Sequence, residues 1–164
     1  MRNKILGFFI LLCAGLYLNS QEYQELSINA QVVSRCKLEL SSNSMSFSRA
    51  GSYTSSLIVQ NEPPLEVTVK TTTKPGQKVH LRILATADLV DYSTGNTISP
   101  KSISWQATGS GFNAGSLQRG ISVTIGEWNK SGVWKGTLTF SFQDREEYAP
   151  GIYTLVVSMS ASSF

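Results

Sequence analysis

The C-terminal part of the chain has the most regular alternation of apolar and polar residues. Two segments begin with glycine and place an aromatic residue two positions later: GVWKGTLTF from Gly132 and GIYTLVVSM from Gly151. The apolar face holds Trp134, Leu138, Phe140 and Phe142 in the first, and Tyr153, Leu155, Val157, Met159 and Ala161 in the second. Because successive side chains of a strand point to opposite faces, this period of two predicts two half-buried strands. The turn sequence YAPG between them allows the two strands to pair.

Shorter alternating segments fill the rest of the chain. They cover residues 26–32, 36–40, 55–60, 65–70, 79–85, 103–105 and 121–125. Turn residues at 74–77 predict a hairpin of 65–70 with 79–85, and those at 129–132 predict a hairpin of 121–125 with 134–142. No segment favours the helical period. About nine or ten short strands at this spacing predict an all-β, Ig-like antiparallel β-sandwich.

The first twenty residues have the pattern of an export signal. A basic start at Arg2 and Lys4 precedes an apolar run from Ile5 to Leu18, and Ser20 offers a small residue for cleavage. The run is shorter than the ~20 apolar residues that cross a bilayer. We therefore expect residues 1–20 to be a signal peptide that is removed after Sec export, and residues 21–164 to form a single domain.

The charged residues and the one histidine give no indication of a function beyond that of an exported β-sandwich domain. Without Arg2 and Lys4 the formal net charge falls from +3 to +1, and the remaining basic residues form no run, so we expect no nucleic-acid partner. His80 is the only histidine, and no nucleophile or acid is tied to it by a motif. The acidic residues near turns, Asp88, Asp91, Asp144, Glu146 and Glu147, have no calcium-loop spacing. We expect no metal, no cofactor and no enzymatic activity.

Cys36 and the tryptophans each leave alternatives open. Cys36 is the one cysteine after the predicted signal peptide, and it is either a buried core residue or a thiol for intermolecular pairing. Trp105 and Trp134 lie in apolar alternation and are predicted to be core residues. Trp128 borders a turn, and we expect it to be the most exposed of the three and a possible contact for a sugar ring.

The two ends of the mature chain resemble a known group of bacterial surface proteins. An early cysteine in SRCKLELSSNSMSFSRAG and a glycine-aromatic last strand in PGIYTLVVSMSASSF are similar to chaperone–usher pilins and spore coat protein U-like subunits. Many of those pilins have a disulfide, whereas Cys36 has no second cysteine to pair with after the signal peptide. The resemblance implies a structural subunit of a fimbria or coat that passes through the periplasm to the cell surface.

The resemblance also implies a mechanism, donor-strand complementation, in which an N-terminal strand of one subunit completes the sandwich of the next. The donor residues would be Leu26, Ile28, Ala30 and Val32, and the acceptor edge would be Tyr153, Leu155, Val157, Met159 and Phe164. Partners would be other copies or related subunits, a periplasmic chaperone and an outer-membrane usher. In the alternative structure, residues 26–32 are the first strand of a complete domain. The alternative function is a secreted monomeric adhesive module that binds host or surface glycans.

Overall fold

Almost all of the regular structure is β-strand. The computed structural model describes residue 31 and residues 33–48 and 57–164. The predicted signal peptide and the predicted donor residues Leu26, Ile28, Ala30 and Val32 lie outside the described residues. The strands are β1 (Arg35–Leu40), β2 (Leu57–Val59), β3 (Leu65–Thr72), β4 (Val79–Ala85), β5 (Leu89–Val90), β6 (Thr97–Ile98), β7 (Ile103–Thr108), β8 (Gly115–Ser116), β9 (Ser122–Trp128), β10 (Gly132–Gln143) and β11 (Val157–Ser163). A single 3-10 turn, Pro100–Ser102, is the helical structure within these ranges.

Two antiparallel sheets carry the fold, as predicted. The larger has the order β1-β3-β10-β7-β8, with β2 paired to the end of β10. The smaller has the order β11-β4-β9, and β5 and β6 form a separate two-stranded ribbon. In the described part of the chain no helix is long and apolar enough to cross a bilayer. The prediction of an all-β sandwich is confirmed.

The core lies between the two sheets because alternate residues of the central strands point inward. Val67 and Val69 of β3, and Leu81 and Ile83 of β4, are at most 1% exposed. Trp105 is 1% exposed, as predicted, and its Nε1 donates to the Asn113 carbonyl oxygen at 2.8 Å. These fully buried side chains come from strands that have a neighbour on both sides.

Six of the strands follow the order of an immunoglobulin constant-type sandwich without its last strand, whereas β2, β8 and β9 are additional to that order, and β9 pairs with the side of β4 opposite to β11. Such a sandwich has strands A, B, E and D in one sheet and C, F and G in the other. Here β1, β3, β10 and β7 take the places of A, B, E and D, and β4 and β11 take those of C and F. The place of G is next to β11. No described residue occupies it, since β11 pairs with β4 alone.

Both predicted hairpins are wrong, although the turns exist. The turn after Lys74 closes with a hydrogen bond from the Gln77 N–H to the Lys74 oxygen, but it carries the chain from β3 in one sheet to β4 in the other. The turn at 129–132 likewise joins β9 and β10, which belong to different sheets. The two long C-terminal strands, β10 and β11, do not pair for the same reason. Alternation identifies a strand, but a tight turn does not show whether its two strands share a sheet.

Candidate strand-binding site

One row of backbone groups on β11 has no neighbouring strand among the described residues. Phe164 and Lys78 exchange hydrogen bonds in both directions, at 3.0 and 3.1 Å. Hydrogen-bonded pairs alternate along an antiparallel ladder, so the preceding pairs of this kind are Ser162 with His80 and Ser160 with Arg82. The backbone groups of the intervening residues therefore point away from β4. These residues are Val157, Met159, Ala161 and Ser163.

The β1 strand has an open row of the same kind, as far as the described residues are concerned. Its neighbour is β3, and the Ser41 N–H donates to the Glu66 oxygen at 3.0 Å, which sets the phase of the ladder. By alternation, the backbone groups of Cys36, Leu38 and Leu40 point away from β3. The strands β1 and β11 lie close to each other at this side of the sandwich but form no ladder. We call these seven residues of β1 and β11 the acceptor edge.

The inward side chains at the acceptor edge are incompletely covered. Leu38, Val157, Met159 and Ala161 pack against the core but are only partly buried, and Leu40 is 39% exposed. The partial burial continues upstream along the chain to Tyr153 and Leu155. The inward residues of β3 and β4, by contrast, are almost completely buried. These side chains are therefore exposed on the same side of the sandwich where the backbone groups of β1 and β11 pair with no described strand.

The structure places four of the five residues predicted for this edge on one side. Tyr153, Leu155, Val157 and Met159 alternate with exposed residues and contact the core. Phe164, the fifth residue predicted for this edge, lies on the opposite face of the strand, because its even-numbered position points the other way. Its ring lies on the outer face of the small sheet, 5.4 Å from the His80 ring and 5.3 Å from the Arg82 guanidinium carbon. This cover leaves His80 half-buried.

Cys36 and Leu38 are acceptor-edge residues that were not assigned to the edge from the sequence. Cys36 is half-buried rather than a core residue, because nothing covers the open side of β1 within the described ranges. Partial burial raises the pKa of its thiol, so the thiolate is disfavoured. The apolar alternation of 36–40 is the signal that could have placed both side chains beside the last strand.

A loop containing Asp91 holds the chain that leads into β11. Asp91 is 3% exposed, and its carboxylate accepts hydrogen bonds from the Ser93 N–H, the Ser93 hydroxyl and the Thr94 hydroxyl at 2.7 to 2.9 Å. These bonds, chiefly those from Ser93, lower the pKa of the carboxyl. Val90 exchanges backbone hydrogen bonds with Thr154, and Gly151 packs directly on the Asp91 carboxylate, where a Cβ has no room. Asp91 is therefore a structural residue.

The end of the sandwich where β11 finishes carries a depression lined by aromatic and polar side chains. Its volume is about 500 Å³, and the residues at its rim are Lys78, Asn113, Glu127, Trp128, Asn129, Lys130 and Trp134. The Lys78 ammonium pairs with Glu127 at 2.7 Å, and the Lys130 ammonium lies 5.9 Å from the centre of the Trp134 ring.

Trp128 is not the exposed residue predicted from its place beside a turn, since it is 5% exposed. Its ring stacks on Trp134 with centroids 5.6 Å apart and meets Phe112 edge-on at 5.0 Å. Its Nε1 donates to the Ser110 carbonyl oxygen at 2.9 Å. The close approach of Gly111 and Gly126 to the indole makes this burial possible.

The acidic residues, His80 and Cys36 form no metal-binding cluster within residues 33–48 and 57–164. No group of three His, Cys, Asp or Glu side chains in these ranges is placed to hold a metal ion. Asp88 pairs with Arg119 at 2.8 Å, and Asp91 is surrounded by its own loop. Comparison with protein-family models and with curated proteins found no match to this chain.

Proposed function

We propose that this protein is an exported structural subunit that polymerises by strand donation, in the manner of chaperone–usher pilins and spore coat protein U-like subunits. The observation that carries the proposal is the acceptor edge itself. Within the described part of the chain, strands in the places of A to F leave the backbone groups unpaired and the inward side chains partly exposed where strand G belongs. An unblunted edge of this kind is a template for an added strand.

The segment proposed to fill the edge is residues 24–33 of another copy. It alternates Leu26, Ile28, Ala30 and Val32 with polar residues, so one face can enter the sandwich while the other stays in water. Strand β11, which contributes four residues to the acceptor edge, is seven residues long, and the donor alternation also covers seven residues, 26–32. Main-chain hydrogen bonds to the acceptor-edge residues of β11 would supply affinity, and the alternate side chains would set the register.

A periplasmic chaperone and an outer-membrane usher fit the same proposal as assembly partners. An acceptor edge that is left open before assembly is an aggregation hazard, so a protein that covers it during export has a clear physical role. We propose export through the Sec pathway and a final location at the cell surface, on the basis of the predicted signal peptide.

A synthetic peptide of residues 21–33 tests the proposal directly. Added in excess to the mature chain, the peptide should bind and shorten any polymer. It competes for the acceptor edge but has no sandwich domain of its own to which a further subunit could be added. A control peptide with Leu26 exchanged with Ser27, Ile28 with Asn29 and Ala30 with Gln31 has the same composition but the opposite phase. If both peptides act equally, or neither binds, strand donation is the wrong mechanism.

The glycan-binding alternative receives less support from the depression at the end of the sandwich. Stacking on a sugar requires an open indole face, and the Trp128 ring is used in contacts with Trp134 and Phe112. Replacing Trp128 would therefore disturb the fold whether or not a ligand binds there. A glycan array probed with the mature chain separates the two functions, because a structural subunit gives no specific signal.

A further inference from the structure

The two ends of the sandwich differ in charge and in exposed apolar surface. We call the end with the start of β11 and the loops 86–98 and 144–156 the upper end, and the end with the start of β1 and the loops 73–78 and 129–132 the lower end. We infer that, in a polymer, the upper end of each subunit binds the lower end of the next copy, forming a body-to-body interface in addition to the donated strand. This inference rests on the proposed strand donation.

The first argument is the direction of the donated strand. Strand G of an immunoglobulin sandwich runs antiparallel to strand F. An antiparallel donor beside β11 therefore starts near Ser163 at the lower end of the acceptor and finishes near Val157 at its upper end. The seven residues of β11 span about 20 Å.

The second argument is the shortness of the link between donor and body. Val32 is three residues before Arg35, where β1 begins at the lower end, and three Cα steps reach at most about 11 Å. Ser34 is also held to the body, because its hydroxyl donates to the Gln77 side-chain oxygen at 2.7 Å. A segment that must finish at the upper end cannot come from the same subunit, whose β1 starts at the lower end. The donor is therefore another copy, and its lower end must lie against the upper end of the acceptor.

The third argument is an exposed apolar patch at the upper end. Tyr92, Ile152 and Val156 are 83%, 84% and 80% exposed. The backbone bridge between Val90 and Thr154, and the contact of Gly151 with Asp91, bring their two segments together. Ile152 and Val156 lie in the segment just before β11, and Tyr92 lies in the turn between β5 and β6; we call these three residues the upper patch. Apolar side chains with so little cover are typical of interaction surfaces when they cluster.

The fourth argument is charge complementarity between the two ends. The upper-end loop at 144–147 carries three carboxylates and one guanidinium. The lower end carries Arg35, Lys74, Lys78 and Lys130 against Glu127, and it also contains the depression beside Trp134. Complementary charges orient two surfaces and speed their encounter. A contact between different surfaces of identical copies is head-to-tail and builds an open filament when its rotation does not close a ring.

The test compares chain–chain association with peptide binding in the same full-length mature protein. The upper-patch variant Tyr92→Ser/Ile152→Ser/Val156→Ser should bind the 21–33 peptide with unchanged affinity, measured by fluorescence anisotropy of a labelled peptide. Its chain–chain association, measured by sedimentation velocity, should weaken about tenfold or more. The variant Gln106→Ser is the control, because Gln106 is exposed in the middle of β7, opposite Thr139 of β10 and away from both ends.

A charge exchange gives an independent measurement. Lys74→Glu/Lys130→Glu should weaken association at low salt, and combining it on the same chain with Glu146→Lys/Glu147→Lys should restore it. If the peptide binds but both sets of variants associate like the unaltered chain, the end-to-end interface is wrong and strand donation stands. If the peptide does not bind the unaltered chain, strand donation itself fails.

Discussion

Proline substitutions in β11 can separate the open side of this strand from the side that pairs with β4. The Ala161 N–H points away from β4, whereas the Ser160 N–H belongs to the ladder with Arg82. Proline lacks the N–H and is tolerated in an edge strand where that group faces outward. Ala161→Pro should therefore leave the body folded and remove one hydrogen bond of the donated strand. Ser160→Pro should destabilise the body.

The magnitudes follow from the groups involved. One net hydrogen bond contributes about 0.5–1.5 kcal/mol, so Ala161→Pro should weaken binding of the 21–33 peptide about 2- to 12-fold, and more if the ring displaces the donor. Ser160→Pro leaves the Arg82 carbonyl oxygen without its partner, which should lower the free energy of unfolding by about 1–3 kcal/mol. Thermal unfolding by circular dichroism reports the second quantity, and peptide anisotropy reports the first.

Comparing Ala161→Pro with Ser160→Pro tests whether the open side of β11 binds the donated strand. Both have the same substitution in adjacent residues, so a general effect of proline would lower both readouts in both variants. If Ala161→Pro unfolds the body as much as Ser160→Pro, the hydrogen-bond phase assigned to β11 is wrong. If Ala161→Pro folds normally and binds the peptide as tightly as the unaltered chain, the donor does not pair with this edge.

Three further predictions concern the body of the sandwich. Trp128→Ala should lower the free energy of unfolding by about 3–5 kcal/mol in chemical denaturation, because the buried indole leaves a large cavity; a loss of ligand binding with full stability would contradict this. Gly136→Ala should cost about 1–3 kcal/mol in the same assay, because its Cβ meets the Thr108 carbonyl oxygen and the Phe112 ring. Asp91 has a lowered pKa when folded, so its stabilising effect is present above pH ~4 and is lost as the pH falls below that value. The melting temperature should then fall on acidification, and Asp91→Asn should flatten that fall; an unchanged slope would show that Asp91 does not contribute.

The sequence was sufficient to predict the fold class and most inward-facing residues. Val67, Val69, Leu81, Ile83, Leu138 and Phe140 all lie on the face that alternation predicts, and they are buried. Alternation works here because each sheet has a core on one face. It says nothing about which strands are neighbours, and for this reason the turns at 74–77 and 129–132 were interpreted as hairpins when they join the two sheets.

The candidate site was predicted only along one strand. Tyr153 to Met159 follow the period of two, whereas the opposite wall, Cys36 and Leu38, is brought to β11 by the long-range sheet order. Phe164 was grouped with the acceptor residues through the family resemblance, although its position in the alternation places it on the outer face with His80 and Arg82. The burial of Trp128 depends on Phe112 and on two glycines distant from the turn that suggested exposure.

Light scattering after size-exclusion chromatography tests the central claim most directly. The mature chain should be run beside a version that lacks residues 21–33, each expressed in a bacterial periplasm. Strand donation predicts that the mature chain forms polymers or aggregates, and that the truncated chain becomes a soluble one-to-one complex when the 21–33 peptide is added. A mature chain that stays monomeric at all concentrations, with a truncated chain that the peptide does not rescue, would contradict the account.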